Sequence, residues 1–185
     1  FQAEDGIRDF CLSRGLGDVY KRQAIMRWVG PAKSVTSNAQ TINNPRVDES
    51  GNYVFTDIPD HLDVLCEMIA GGTANLQFTM VSGMAPESEM WIHGTKGTLV
   101  VKTETTADAG APNLVLLGAE KGQKELEQIK IPDNEVGGWR VEEEFINAIR
   151  GEELITHTSF TDGVKYMKFT DAIYDSFSTG QKIII

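Results

Sequence analysis

Apolar and polar positions alternate most clearly in two neighbouring stretches. Leu62, Val64, Cys66 and Met68 are separated by mostly polar residues, and Ala74, Leu76, Phe78 and Met80 repeat the pattern after Ala70-Gly71-Gly72-Thr73. A period of two on either side of a Gly-rich turn predicts an antiparallel hairpin with one covered face. A second hairpin is predicted from Met90-Trp91-Ile92-His93 and Thr98-Leu99-Val100-Val101, joined by Gly94-Thr95-Lys96-Gly97. A weaker third pair sets Leu114–Leu117 against Leu126–Ile131, and an extended stretch, Lys33–Ile42, precedes them all. Hairpins in series imply an antiparallel sheet, because short turns cannot join parallel strands.

The period then lengthens. Val141, Phe145, Ala148 and Ile149 fall on one stripe of a helix, expected to be core, with Glu142, Glu143 and Glu144 as surface charge in its first turn and Gly151 at its end. A second helix is expected to start near a cap at Thr161 and to stop at Gly180. Tyr166, Phe169, Ile173 and Phe177 form its buried stripe, and Lys165, Lys168, Asp171 and Asp175 its wet one. Residues 24–29 read as the last turns of a helix stopped by Gly30-Pro31, and Ile183–Ile185 as a final strand. Helices gathered beside an antiparallel sheet define an α+β domain, here an open, mainly antiparallel β-sheet with helices packed on one face.

Composition narrows the function. The 185 residues carry a formal net charge of −10, which argues against nucleic acid and against an anionic membrane surface as partners. No apolar run approaches the roughly 20 residues of a membrane-spanning helix. Cys11 and Cys66 lie far apart and in no metal-ligand spacing, so a reducing, cytoplasmic setting is expected.

Residues 1–23 differ in texture. They keep neither strand nor helix period, contain four acidic and four basic residues, and resemble read-through of sequencing-library adapter DNA. They are set apart from fold reasoning, and residues 24–185 are taken as the domain. Gly15-Leu16-Gly17 follows no apolar strand and lacks a third glycine, so it is no dinucleotide loop.

Three blocks in order then carry a resemblance. They are Met90-Trp91-Ile92-His93-Gly94-Thr95-Lys96-Gly97-Thr98-Leu99, Glu142-Glu143-Glu144-Phe145-Ile146-Asn147-Ala148-Ile149-Arg150-Gly151, and Phe160-Thr161-Asp162-Gly163-Val164 with Thr179-Gly180-Gln181-Lys182-Ile183. Together they resemble the C-terminal domain of the Gfo/Idh/MocA oxidoreductases, over essentially everything after Gln23. The resemblance implies an open antiparallel sheet whose uncovered face serves substrate contact and pairing into a homo-oligomer. It also implies a preceding Rossmann domain that holds NAD or NADP. Substrates would be sugars, cyclitols or related polyols, changed by hydride transfer at a CH–OH or ketone carbon. The family's Gly-rich loop and its catalytic lysine, aspartate and histidine match no residue here. No catalytic or cofactor-binding residue is therefore assigned, no cofactor is expected to bind this chain alone, and the chain is expected to be an inactive fragment. The NAD-dependent glycosidase branch of the family and a stand-alone β-sheet interaction module are the alternatives.

Several side chains have chemistry to offer. His61 and Asp63 share a strand face, where they could hold a metal or orient an imidazole, but no third ligand is visible and such a pair is far more often the wet face of a sheet. His93 pairs similarly with Trp91 beside a tight turn. Trp139, Arg140, His157 and His93 are the candidate substrate-facing residues. Arg140 opens a helix, and His157 sits between two threonines ahead of another. No metal-binding residue is assigned.

Overall fold

The structure, a computed structural model, describes residues 25–47, 50–83, 89–104, 113–137, 140–156 and 159–185. They form two compact units: one runs to Ser82 and resumes at Val141–Ile185, and the other is Gly83–Arg140. The adapter-like residues 1–23 lie outside the described residues.

The first unit begins with a helical turn, α1 (25–29), which ends at Gly30. Its sheet contains β1 (Ala32–Gln40), β4 (His61–Met68), β5 (Thr73–Thr79) and β10 (Ile183–Ile184) in the order β10-β1-β4-β5, every pairing antiparallel. A small ribbon of β2 (Arg46–Val47) and β3 (Tyr53–Val54) fills the loop between β1 and β4. Gly71 and Gly72 turn β4 into β5 with φ of 93° and 83°, a left-handed backbone that a Cβ would strain. The expected alternation is borne out by register. Val35, Ser37 and Ala39 stand opposite Cys66, Val64 and Leu62, which in turn oppose Ala74, Leu76 and Phe78.

That face is covered by α3 (Phe160–Thr179), which packs on β1 and β10. Phe169, Ala172 and Ile173 are buried against Val35, Leu62, Val64 and Cys66, with Phe177 partly buried at the margin. Burying one large apolar side chain of this kind contributes about 1.5–3 kcal/mol. Burial also pushes the Cys66 thiol up to about 11, so it is neutral and unreactive in the fold. Ser176 is wholly buried as a polar clip: its Oγ accepts from the Ser37 N–H at 2.9 Å and donates to the Gln181 carbonyl at 2.7 Å.

Two helix readings need correction. The cap of α3 is Ser159, not Thr161: the Asp162 N–H donates to Ser159 Oγ at 3.2 Å, and the Ser159 N–H donates to the Asp162 carboxylate at 3.3 Å. This reciprocal box satisfies two donors that a cap two residues later would leave open. In α2 (Val141–Arg150), the stripe read as core faces solvent: Val141, Phe145 and Ile149 are 42%, 46% and 69% exposed. The buried residue of α2 is instead Glu144, read as surface charge, which accepts a hydrogen bond from the Thr156 hydroxyl. A carboxylate tolerates burial when such donors are present, and an apolar stripe shows only that a helix has two faces.

The second unit is a four-stranded antiparallel sheet in the order β6-β7-β8-β9: β6 (Glu89–His93), β7 (Gly97–Glu104), β8 (Asn113–Glu120) and β9 (Glu127–Gln128). The second and third predicted hairpins are both present, although the last strand is shorter than Leu126–Ile131 suggested. The architecture is the expected α+β one with mainly antiparallel strands.

Candidate functional site

A period of two sends every second side chain of β1, β4 and β5 away from α3. Register then orders these outward residues into cross-strand rows. Asn38, Asp63 and Gln77 form one row, and Gln40, His61 and Thr79 form the next. On the other side of the Asp63 row lie Thr36, Leu65 and Asn75, so the face is dominated by amides, hydroxyls and one imidazole–carboxylate pair. Directly opposed side chains of this kind stand about 5 Å apart at Cβ, close enough for one small ligand to touch several.

The central groups are held by hydrogen bonds. His61 Nε2 lies 3.0 Å from Asp63 Oδ2, and Gln77 Nε2 donates to Asp63 Oδ1 at 3.0 Å. These two bonds, Gln77 first and then His61, hold the Asp63 carboxyl below its usual range, so it stays ionised as the anchor of the cluster. Of the two roles the shared strand face offered, the contact at 3.0 Å is the one in which Asp63 orients the imidazole, on a partly exposed sheet face. A metal role is not supported: among the described residues no three His, Cys, Asp or Glu side chains gather in a way that could hold an ion.

Asp60, one residue before β4, fixes the edge of this face, and its role escaped the sequence. It is 3% exposed and accepts the Ile42 and Asn43 N–H groups at 2.7 and 2.8 Å, with Arg46 Nη2 at 3.6 Å. Burial alone would raise its pKa. The two backbone donors and the Arg46 charge outweigh burial and bring the carboxyl below its ordinary value. Its own backbone joins Gln40 and Met80, so Asp60 closes the ends of β1, β4 and β5 beside His61. The only clue in sequence was an acid at a strand start, since its partners lie 17 and 18 residues away.

The remaining candidates fall elsewhere. His93 is on β6, its ring stacked on Trp91 with centroids 6.0 Å apart and planes 25° from parallel. Arg140 is half-buried just ahead of α2. Trp139 and His157 lie outside the described residues. Every strand pairing among the described residues is antiparallel, so the parallel strand–Gly loop–helix arrangement of a dinucleotide cradle is not found among them. Among the described residues no helix is long and apolar enough to cross a membrane.

No protein-family model and no curated protein matches the chain. Solved structures do. An aldose-aldose oxidoreductase from Caulobacter crescentus complexed with glycerol matches with a TM-score of 0.60 and 17% identity, over 90% of this chain and 45% of its own. Levoglucosan dehydrogenase in complex with NADH and levoglucosan matches with a TM-score of 0.68 and 16% identity, over 90% of this chain and 48% of its own. An oxidoreductase from Agrobacterium radiobacter in complex with NAD+, L-tartaric acid and magnesium gives 0.62 and 14%, over 91% and 47%. The chain thus spans about half the length of these oxidoreductases, and its fold is that of the C-terminal domain of Rossmann-type dehydrogenases.

Proposed function

We propose that this chain is the substrate-binding and oligomerisation domain of a Gfo/Idh/MocA-type, NAD(P)-dependent oxidoreductase acting on a sugar, cyclitol or related polyol. One observation carries the reading: nine-tenths of the chain superposes on about half of enzymes solved with NADH and a sugar. The open face of β1, β4 and β5 supports it, because directional donors and acceptors in rows suit a ligand with a hydroxyl on every carbon. In this reading NAD or NADP is held by the Rossmann half of such an enzyme and supplies the hydride chemistry. This chain's share is to bind and orient, with Asp63 fixing His61 and Gln77 as hydrogen-bonding groups. His93, Arg140, Trp139 and His157 are proposed as further substrate-facing groups, pairing into a homo-oligomer through the open face is proposed with them, and the setting is cytoplasmic.

The test is ligand-observed NMR of myo-inositol and D-glucose against the chain and a D63A/Q77A double variant, each first checked for fold by circular dichroism. A saturable component of binding that the double variant loses is expected. Binding equal in both sinks the assignment of the face. Micromolar NADH binding by the chain alone, measured by calorimetry, would contradict the placement of the cofactor in another domain.

A further inference from the structure

We infer that β6 carries a saccharide-stacking platform formed by Trp91 and His93. On this strand Glu89, Trp91 and His93 all point to one face. Trp91 is 51% exposed, which leaves half of a large flat indole to solvent on a short edge strand. The ring is nevertheless held in place: its Nε1–H donates to Glu89 Oε2 at 3.1 Å, and the His93 ring stacks beside it. His93 is fixed in turn, with Nδ1 3.3 Å from the Thr98 hydroxyl directly across the ladder. Val100, opposite Trp91 in register and therefore on the same face, is 1% exposed, so the indole has a buried apolar neighbour across the ladder.

The surface therefore offers a half-exposed indole, backed by the near-parallel imidazole stacked against it and bordered by a carboxylate and a hydroxyl. Pyranoses and cyclitols have a complementary shape: one face lined by C–H groups that packs on an aromatic ring, and a rim of hydroxyls that seek polar partners. Pre-set rings cost little conformational entropy on binding. The Glu89 carboxylate selects neutral saccharides over acidic ones, because a sugar carboxylate would meet like charge there. The inference rests on the reading of His93 as a substrate-facing group, and its readout at the Trp91 peak is separate from that of the β1, β4 and β5 face.

The experiment follows the Trp91 indole N–H in a ¹⁵N-correlated spectrum of the whole chain, its peak assigned with W91F. Titration with D-glucose should shift that peak saturably, and D-glucuronate should shift it at least several-fold more weakly. W91A should weaken D-glucose binding by about ten-fold, the loss of one stacked ring, while circular dichroism stays unchanged. H93A provides a second variant and should weaken binding more modestly. A Trp91 peak unmoved by D-glucose overturns the proposal. So does a peak that moves with protein concentration instead, which would mean that a second copy of the chain covers the ring.

Discussion

Asp60 ties a loop to the edge of the sheet through one buried side chain. Both carboxylate oxygens accept backbone N–H groups across a loop, and Arg46 stands behind them. An Asp60→Asn substitution keeps one acceptor and puts a donor where the second should be. It should destabilise the chain by about 1–3 kcal/mol, read as a lowered urea midpoint, because one buried N–H loses its partner. An unchanged midpoint would mean that the loop does not depend on this carboxylate. Residue by residue, the sequence disclosed which side chains alternate but not which polar group is buried. Asp60, Glu144 and Ser176 all acquire their partners through tertiary folding or chain reversal, and no local pattern announces that.

At the scale of elements, α2 and α3 present a controlled contrast. Both were legible as amphipathic helices, yet only α3 buries its apolar stripe on the sheet. Ile149→Ser on the exposed stripe should change stability by no more than about 0.5 kcal/mol. Ile173→Ala, at 4% exposure, should cost about 2–5 kcal/mol through lost burial and the cavity left behind. Equal costs in chemical denaturation would show that something covers α2 after all. The strands were read more accurately than the helix faces because register and alternation restrict each other. Once Val35 pairs with Cys66 and Cys66 with Ala74, the faces of β4, β5 and the part of β1 beyond its irregularity at Ala32–Ser34 follow. The cap of α3 was also within reach, since Ser159 and Asp162 have the three-residue spacing of a capping box.

For the whole molecule, charge sets the response to acid. Asp60, Asp63, Glu67 and Asp162 all titrate below their ordinary values in the fold. Glu67 does so chiefly through its bond from Lys182, and Asp162 chiefly through its bond from Ser159. A depressed folded pKa contributes stability that is fully present above the unfolded value, near 4, and is lost as pH falls through the folded one. Urea midpoints should therefore be steady near neutrality and decline below about pH 4.5. A midpoint that rises on acidification would contradict these four shifts together.

Gly97 gives the hairpin between β6 and β7 a different meaning. A Cβ at Gly97 would collide with the carbonyl oxygen of Ala119 and come within 3.1 Å of the Glu120 Cα, both of them backbone atoms that cannot swing aside. The glycine is thus a steric signature of two strands lying close, indifferent to whatever chemistry the surrounding protein performs. Any chain with this backbone meets the same steric limit at that corner, whether it oxidises a sugar, cleaves one or catalyses nothing. A likeness read through Gly97 reports an architecture, and the reaction has to be read from the polar rows and the aromatic rings that the architecture displays.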